Sequence, residues 1–288
     1  MLKTMRTVYL NGAYLPENEA AVSVFDRGFL FADGVYEVTA VVDGKLLGFH
    51  GHMDRLQRSL DELHFGHTIC RSKLLAIHHE LIERNNLDQG IIYLQITRGN
   101  PQDRDFLFPP ADTPVTIVLF TQVKQIVGTL VEKTGLKVVS VDDLRWGRRD
   151  IKTVQLLYSS LAKMQAKSRG ADDAWLVQDG LVTEGTSNNV YIVKDRKIIT
   201  RGLSSDILHG ITRKSVLACA RLLKIDVEER PFTIQEAWQA DEAFSTSASG
   251  LTIPVIEIDG KVIGNGKPGP VGDKLRALYL EENLKTAV

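Results

Sequence analysis

The sequence predicts an α+β protein of two domains, and three observations carry the prediction. The chain has 288 residues, a length better served by two cores than by one. Its first part alternates strands with two long amphipathic helices. In its second part the strands are joined mostly by hairpin turns and not by strand–helix–strand crossovers. The second sheet is therefore expected to be mixed or antiparallel and barrel-like, with helices outside, and a doubly wound sheet is disfavoured.

The elements follow in order. VYL leads into Asn11-Gly12, a strand spans Val35 to Val42, and Asp43-Gly44 leads into LLGF, the Asx-Gly pairs supplying the positive φ of tight hairpins. HMDRLQRSLDEL sets Met53, Leu56, Leu60 and Leu63 on one helical face, and SKLLAIHHELIERN repeats the pattern, so two helices are expected to cover a small antiparallel sheet. His78-His79-Glu80 is read as part of a solvated helix face. IIYLQITRG and VTIVLF add two strands, separated by a Pro- and Asp-rich loop from Gly99 to Thr113 of a length that often carries function. The stretch 121–131 lacks periodicity. It divides a small N-terminal domain, 1–122, from a larger one, 129–288, through a linker at 123–128. LKVVSVDD opens the second domain as a strand, and a helix is expected from Thr153 to Ala166, bearing Val154, Leu157, Leu161 and Met164. Turns at Asp179-Gly180, Lys194-Asp195 and Asp259-Gly260 and helices starting near Ile211, Ile234 and Pro270 complete the reading.

Composition narrows the function. With 35 basic and 36 acidic residues the chain carries no basic field for nucleic acid or an anionic membrane surface. Cys70 and Cys219 lack CxxC spacing, and the seven histidines give no convincing ligand pair, so no metal site and no disulfide framework are expected. The N-terminal residues lack the apolar run of a signal peptide, and no stretch approaches the roughly 18 apolar residues of a membrane helix, so a cytoplasmic protein acting on small molecules is expected.

Four segments can carry chemistry. Lys152, in RWGRRDIKTVQLL, stands where a basic stretch gives way to a helix, and alone it reads as a solvated lysine. LVTEGTSNNVYIV joins two strands through a turn rich in hydroxyl and amide groups, which suits either a phosphate or an ordinary hairpin. HGITRKSVLACA places Gly210 before a helix whose first amides, Ile211 and Thr212, would face an anion or simply be capped. Thr246-Ser247-Ala248-Ser249-Gly250 is a loop of small residues.

DRGFLFADGVYEV, HMDRL, DIKTVQLL, VTEGTSNNV, HGITR and TSASG occur together in the order and at about the spacing of fold-type IV pyridoxal-phosphate enzymes. From about Val8 to Leu280 the chain most resembles the D-amino-acid transaminases. The resemblance implies a two-domain fold, a small α/β sandwich domain and a larger barrel-like domain, with pyridoxal 5'-phosphate between them, and usually a homodimer. It implies Lys152 as the Schiff-base lysine, Glu184 as the carboxylate facing the ring nitrogen, and Arg55 as a phosphate ligand. Thr186, Ser187, Ile211, Thr212, Ser247 and Ala248 are implied as further phosphate donors, and His52 as structural support. An ionised Glu184 would keep the ring nitrogen protonated, and a freed Lys152 would carry the substrate proton.

At the substrate end the resemblance implies Tyr36 and Arg104 as carboxylate ligands. The family's Arg-x-His pair is broken here, because DRDFLFP puts Phe106 in the histidine's place. That exchange favours less polar substrates, such as arylalkyl amines or aromatic D-amino acids. Arg98 is a rival carboxylate ligand, with a structural role the simpler reading. The leading expectation is a transaminase moving the amino group of a D-amino acid or R-amine to a 2-oxo acid such as pyruvate or 2-oxoglutarate. The alternatives are an R-selective amine transaminase, a branched-chain aminotransferase, an aminodeoxychorismate lyase, and a non-catalytic metabolite-binding module.

Overall fold

A computed structural model describes residues 5–288. The chain forms two compact units. The first runs to Ile126 and takes in Ile151–Gln155 and Ala287–Val288, and the second comprises Val127–Asp150 and Leu156–Thr286.

The first unit holds β1 (Thr7–Leu10), β2 (Ala13–Pro16), α1 (Arg27–Phe31), β3 (Gly34–Val42), β4 (Lys45–Leu46), α2 (Phe49–Glu62), α3 (Arg71–Arg84), β5 (Gly90–Thr97) and β6 (Thr116–Val123). Its six strands form an antiparallel sheet in the order β2-β1-β6-β5-β3-β4. The predicted hairpins are present, with Asn11 at φ 48° and Asp43 at φ 51°. Alternation along β3 sends Val35, Glu37, Thr39 and Val41 to one buried face, and Met53, Leu56 and Leu60 of α2 are likewise fully buried. On α3 the structure corrects one reading. His78 is buried, not solvated, because its spacing from Leu74 and Leu81 puts it on the inward face. Its Nδ1 lies 2.7 Å from the Leu74 carbonyl oxygen, its ring meets Phe49 edge-on, and burial pushes its pKa down to about 4.

The second unit holds α4 (Leu130–Thr134), β7 (Leu136–Asp142), α5 (Leu157–Ser168), β8 (Asp173–Gln178), β9 (Leu181–Gly185), β10 (Asn189–Lys194), β11 (Lys197–Thr200), α6 (Ile211–Leu222), β12 (Val227–Glu229), α7 (Ile234–Trp238), β13 (Glu242–Ser247), β14 (Leu251–Ile258), β15 (Lys261–Val262) and α8 (Pro270–Lys285). Its sheet runs β12-β11-β10-β13-β14-β7-β8-β9, with β15 on β14. The β11–β12, β14–β7 and β7–β8 pairs are parallel and the others antiparallel, so the sheet is mixed. It also curls. Four strands separate β9 from β10, about 24 Å in a flat sheet at the usual strand spacing, yet residues 186–188 connect them, and such a link spans at most about 14 Å. Trp175, Val190, Ile192, Phe232 and Ile258 are central to the principal core of this unit.

Three details differ from expectation. The turn between β10 and β11 is Asp195-Arg196, both at positive φ, and not Lys194-Asp195. The helix expected from Thr153 starts at Leu157, because residues 152–154 pair instead with β3. On α5 the small residues Ala162 and Ala166 face the core, while Leu157, Leu161 and Met164 are 76%, 57% and 62% exposed. Among the described residues no helix is long and apolar enough to cross a membrane.

Candidate active site

In the first unit, main-chain pairing decides where Lys152 stands. The Tyr36 amide donates to the Lys152 carbonyl at 3.0 Å, the Val154 amide donates to the Gly34 carbonyl at 3.1 Å, and Thr153 bridges antiparallel to Val35. The Lys152 amide reaches Ser59 Oγ at 3.4 Å. The side chain is half-buried, with Nζ 4.0 Å from the centroid of the Tyr36 ring, and among the described residues no carboxylate pairs with it. Tyr36 in turn stacks on Tyr93, and Tyr93 on Phe120, at 5.5 and 4.8 Å between centroids.

The next residue along β3, Glu37, points to the opposite, fully buried face. Arg55 donates to it twice, Nε to Oε1 and Nη2 to Oε2, each at 2.7 Å, and His52 Nδ1 lies 2.7 Å from Oε2. Burial alone would raise the Glu37 carboxyl, but the Arg55 guanidinium overrides it and holds the group at about 2. Burial lowers His52, although its bond to Glu37 opposes this. A neutral His52 beside an ionised Glu37 must carry its proton on Nδ1, which donates to the carboxylate. Arg55 thus sits on the buried face of α2 with its fork oriented by Glu37.

Arg104 and Phe106 lie in the β5–β6 connection, which starts at Gly99. That glycine has φ 84°, and a Cβ on it would lie 2.0 Å from the Pro114 carbonyl oxygen. Side chains then fasten the loop. Asp33 Oδ2 accepts from Arg27 Nε at 2.7 Å and from Arg98 Nε at 2.8 Å, and Arg27 Nη1 donates to the carbonyls of Asp105 and Leu107. Arg98 also donates to the carbonyls of Leu63 and His64 and lies over the rings of Phe65 and Phe108 at 4.2 and 3.8 Å. Buried and engaged on all sides, Arg98 serves as a strut. Arg104 is exposed.

In the second unit Glu184 is a buried carboxylate held by three donors. Arg145 Nη1 donates to Oε1 at 2.6 Å, and Asn189 Nδ2 and the Leu208 amide donate to Oε2 at 3.0 Å each. Burial pushes the Glu184 carboxyl up from its ordinary value, with Arg145 the chief opposing influence. Arg145 is itself clamped by Asp143, Nε to Oδ1 at 2.9 Å and Nη2 to Oδ2 at 2.7 Å, and Thr183 Oγ1 donates to Asp143 at 2.6 Å.

The expected phosphate donors of this unit fall into three groups. Ile211 and Thr212 open α6, where Gly210 occupies the N-cap with no side chain capping the helix, so the first-turn amides present an anion-binding end. A Cβ on Gly210 would lie 2.1 Å from Asn189 Oδ1, which requires glycine there. Ser247 ends β13 and its Oγ accepts from the Gly250 amide at 3.1 Å, with Ala248 following in the turn. Thr186 and Ser187 behave differently. The Thr186 hydroxyl donates to Asp173 at 2.5 Å, and Ser187 is exposed.

Glu37, Asp143, Arg145 and Asn189 were not singled out in the sequence. Glu37 adjoins Tyr36 in GVYEV, and Asp143 and Arg145 lie in the charged stretch before Lys152, but the spacing says nothing of which carboxylate each guanidinium meets.

A family model described as amino-transferase class IV matches residues 34–258. The D-alanine aminotransferase of Bacillus licheniformis is 37% identical over 286 residues, covering 97% of this chain and 99% of its own. That of Staphylococcus haemolyticus is 38% identical over 274 residues, covering 94% and 96%. Among solved structures, the T.th. branched-chain amino acid aminotransferase with pyridoxamine 5'-phosphate has a TM-score of 0.89 at 26% identity, covering 99% of this chain and 98% of that one. With the match spanning both sheets and the Lys152 and Glu184 segments, the chain belongs to the class IV amino-transferases.

Proposed function

We propose that this protein is a pyridoxal-phosphate-dependent aminotransferase that moves the amino group of a D-amino acid to a 2-oxo acid, each in its own half-reaction. The observation that carries the reading is the setting of Lys152, a half-buried amine fixed by β3 and free of any carboxylate among the described residues. The curated D-alanine aminotransferases at 37% and 38% identity support the substrate class.

The residues suit the cofactor. The Lys152 amine can condense with an aldehyde. The uncapped start of α6, with Ile211 and Thr212, suits a phosphate, and Arg55, whose Nε and Nη2 are engaged by Glu37, is assigned to the phosphate by likeness to the family alone. Glu184, its proton affinity raised by burial, is a good acceptor for a protonated ring nitrogen. When bound, pyridoxal phosphate supplies an electron sink for the pair left behind as the substrate Cα loses its proton. Lys152 Nζ is the group that takes that proton and returns it to the cofactor side, as base and then acid. Arg145, Asn189 and Leu208 hold the Glu184 carboxylate against rotation, so its charge needs no reorganisation during the reaction. Tyr36 and Arg104 are assigned to the substrate carboxylate.

The same reading makes the protein a homodimer. The exposed stripe of Leu157, Leu161 and Met164 on α5 supports it, since an apolar row of this kind marks an association surface. A cytoplasmic location is supported by the free thiols of Cys70 and Cys219.

The test is spectroscopic and kinetic. Purified protein supplied with pyridoxal phosphate should show a visible absorbance band that Lys152→Ala abolishes. In a half-reaction screen, D-alanine and D-phenylalanine should convert the cofactor, and their L-enantiomers should not. A protein that takes up no cofactor, or one that converts branched L-amino acids in preference, would overturn the reading.

A further inference from the structure

Arg104 lies beside a pair of aromatic rings that touch each other. Its guanidinium carbon lies 5.0 Å from the ring centroid of Phe31 and 5.0 Å from that of Phe106. The two rings meet each other edge to face, 5.5 Å apart and inclined at 64°. Among the described residues no carboxylate pairs with Arg104, whereas its neighbours Arg27 and Arg98 both bind Asp33. Phe106 is 75% exposed, so burial of its own surface does not account for its place. Stacking against a ring uses the face of a guanidinium and leaves the N–H donors in its plane directed outward. The bracket is itself anchored. Phe31 carries the Arg27 guanidinium at 4.5 Å, and Arg27 holds the loop through the carbonyls of Asp105 and Leu107, on either side of Phe106.

We infer that Phe31 and Phe106 are positioning residues that pack against Arg104 and restrict it, so that its donor edge is preorganised as a two-pronged receptor for a small carboxylate. This rests on the aminotransferase reading for the identity of that carboxylate, the one on the amino donor and on its 2-oxo acceptor. The aromatic residue at 106 therefore retains carboxylate recognition. It replaces a direct donor with a surface that restricts the arginine. An exposed cation–π contact contributes modestly, which corresponds to about a two- to fivefold change in affinity per ring.

The test compares Phe106→Leu, Phe106→Tyr and Arg104→Met with the wild-type holoenzyme. Phe106→Leu keeps the apolar bulk and loses the π face. It is expected to raise KM for D-alanine about threefold while kcat stays within about twofold, Phe106→Tyr should restore the wild-type KM, and Arg104→Met should raise KM more than Phe106→Leu does. A second readout needs no turnover: the rate at which phenylglyoxal modifies Arg104, followed by peptide mass spectrometry with and without propionate. Propionate should protect Arg104 in the wild type and in Phe106→Tyr, and less in Phe106→Leu. Equal KM and equal protection in Phe106→Leu and the wild type would overturn the bracket while leaving the aminotransferase reading intact. Absence of propionate protection in the wild type would overturn it as well. A wild type that protects Arg104 but does not turn over D-alanine would keep the bracket and remove the assigned substrate.

Discussion

Glu37 and Arg55 form a buried two-pronged ion pair, Nε to Oε1 and Nη2 to Oε2 at 2.7 Å each, that ties β3 to α2 directly behind Tyr36. Removing one partner leaves the other charge buried and unpaired, which costs about 3–5 kcal/mol, while replacing both by apolar groups costs far less. Glu37→Met is therefore expected to be strongly destabilised in urea unfolding, and Glu37→Met/Arg55→Met to recover much of the loss. Additive losses in the double variant would contradict the coupling.

The pair also gives the acid limb of stability its sign. Glu37 titrates near 2 in the folded protein against an ordinary 4.5, so its contribution is complete above about pH 4.5 and disappears as pH falls toward 2. That difference corresponds to about 3 kcal/mol. His78 acts at higher pH. Buried neutral at about 4 against an ordinary 6.5, it costs stability as pH falls from 6.5 to 4, because the unfolded chain takes up a proton that the folded one refuses. His78→Leu should flatten the decline over that interval by about 3 kcal/mol. A pH series of unfolding curves unchanged by the substitution would exclude His78 as the source.

Glu184→Gln should still bind pyridoxal phosphate, since Lys152 and the α6 amides are untouched. It should slow the half-reaction by about tenfold or more, because a neutral partner no longer favours a protonated ring nitrogen. Absorbance titration measures the first expectation and single-turnover kinetics the second.

Gly210→Ala places a methyl group 2.1 Å from Asn189 Oδ1, and Asn189 cannot yield without disturbing Glu184 Oε2 and the Leu208 carbonyl, both of which its Nδ2 contacts. Overpacking of this kind costs about 1–3 kcal/mol. Weaker cofactor affinity, read by equilibrium dialysis, is the expected result, and wild-type affinity would show that the start of α6 accommodates a Cβ.

Leu161→Lys/Met164→Lys tests the association surface on α5. Both side chains are solvent-exposed within the chain, so the fold should persist by circular dichroism while the apparent mass by light scattering falls from dimer to monomer. A wild type that is monomeric at micromolar concentration would remove the homodimer from the proposal.

Much of the fold was legible because its signals are local. Asn11-Gly12, Asp43-Gly44, Asp179-Gly180 and Asp259-Gly260 announce their turns through φ alone, and the starts of α6, α7 and α8 fall at Ile211, Ile234 and Pro270 as expected. Misreadings came where a non-local partner overrode a local pattern. TVQL reads as helix by periodicity, but pairing with β3 draws residues 152–154 out as extended chain. Leu157, Leu161 and Met164 read as the apolar residues of an amphipathic helix, yet they are exposed, and the small Ala162 and Ala166 let α5 approach β7 and β8 on the other side.

The sequence by itself determined the two-part α+β organisation, the hairpins and the helix starts, because these depend on backbone preference and side-chain pattern within a few residues, while the groups assigned to a phosphate, an aldehyde and a ring nitrogen followed from the resemblance to a family. Only the tertiary structure decided which charge meets which. It gave Arg55 to Glu37, Arg145 to Asp143 and Glu184, Arg98 to Asp33, and Arg104 to the rings of Phe31 and Phe106. Asp143 and Phe106 lie only two residues from their arginines, but Glu37, Glu184, Asp33 and Phe31 are brought to theirs from farther along the chain once the sheets have formed, and no spacing along the sequence encodes that choice.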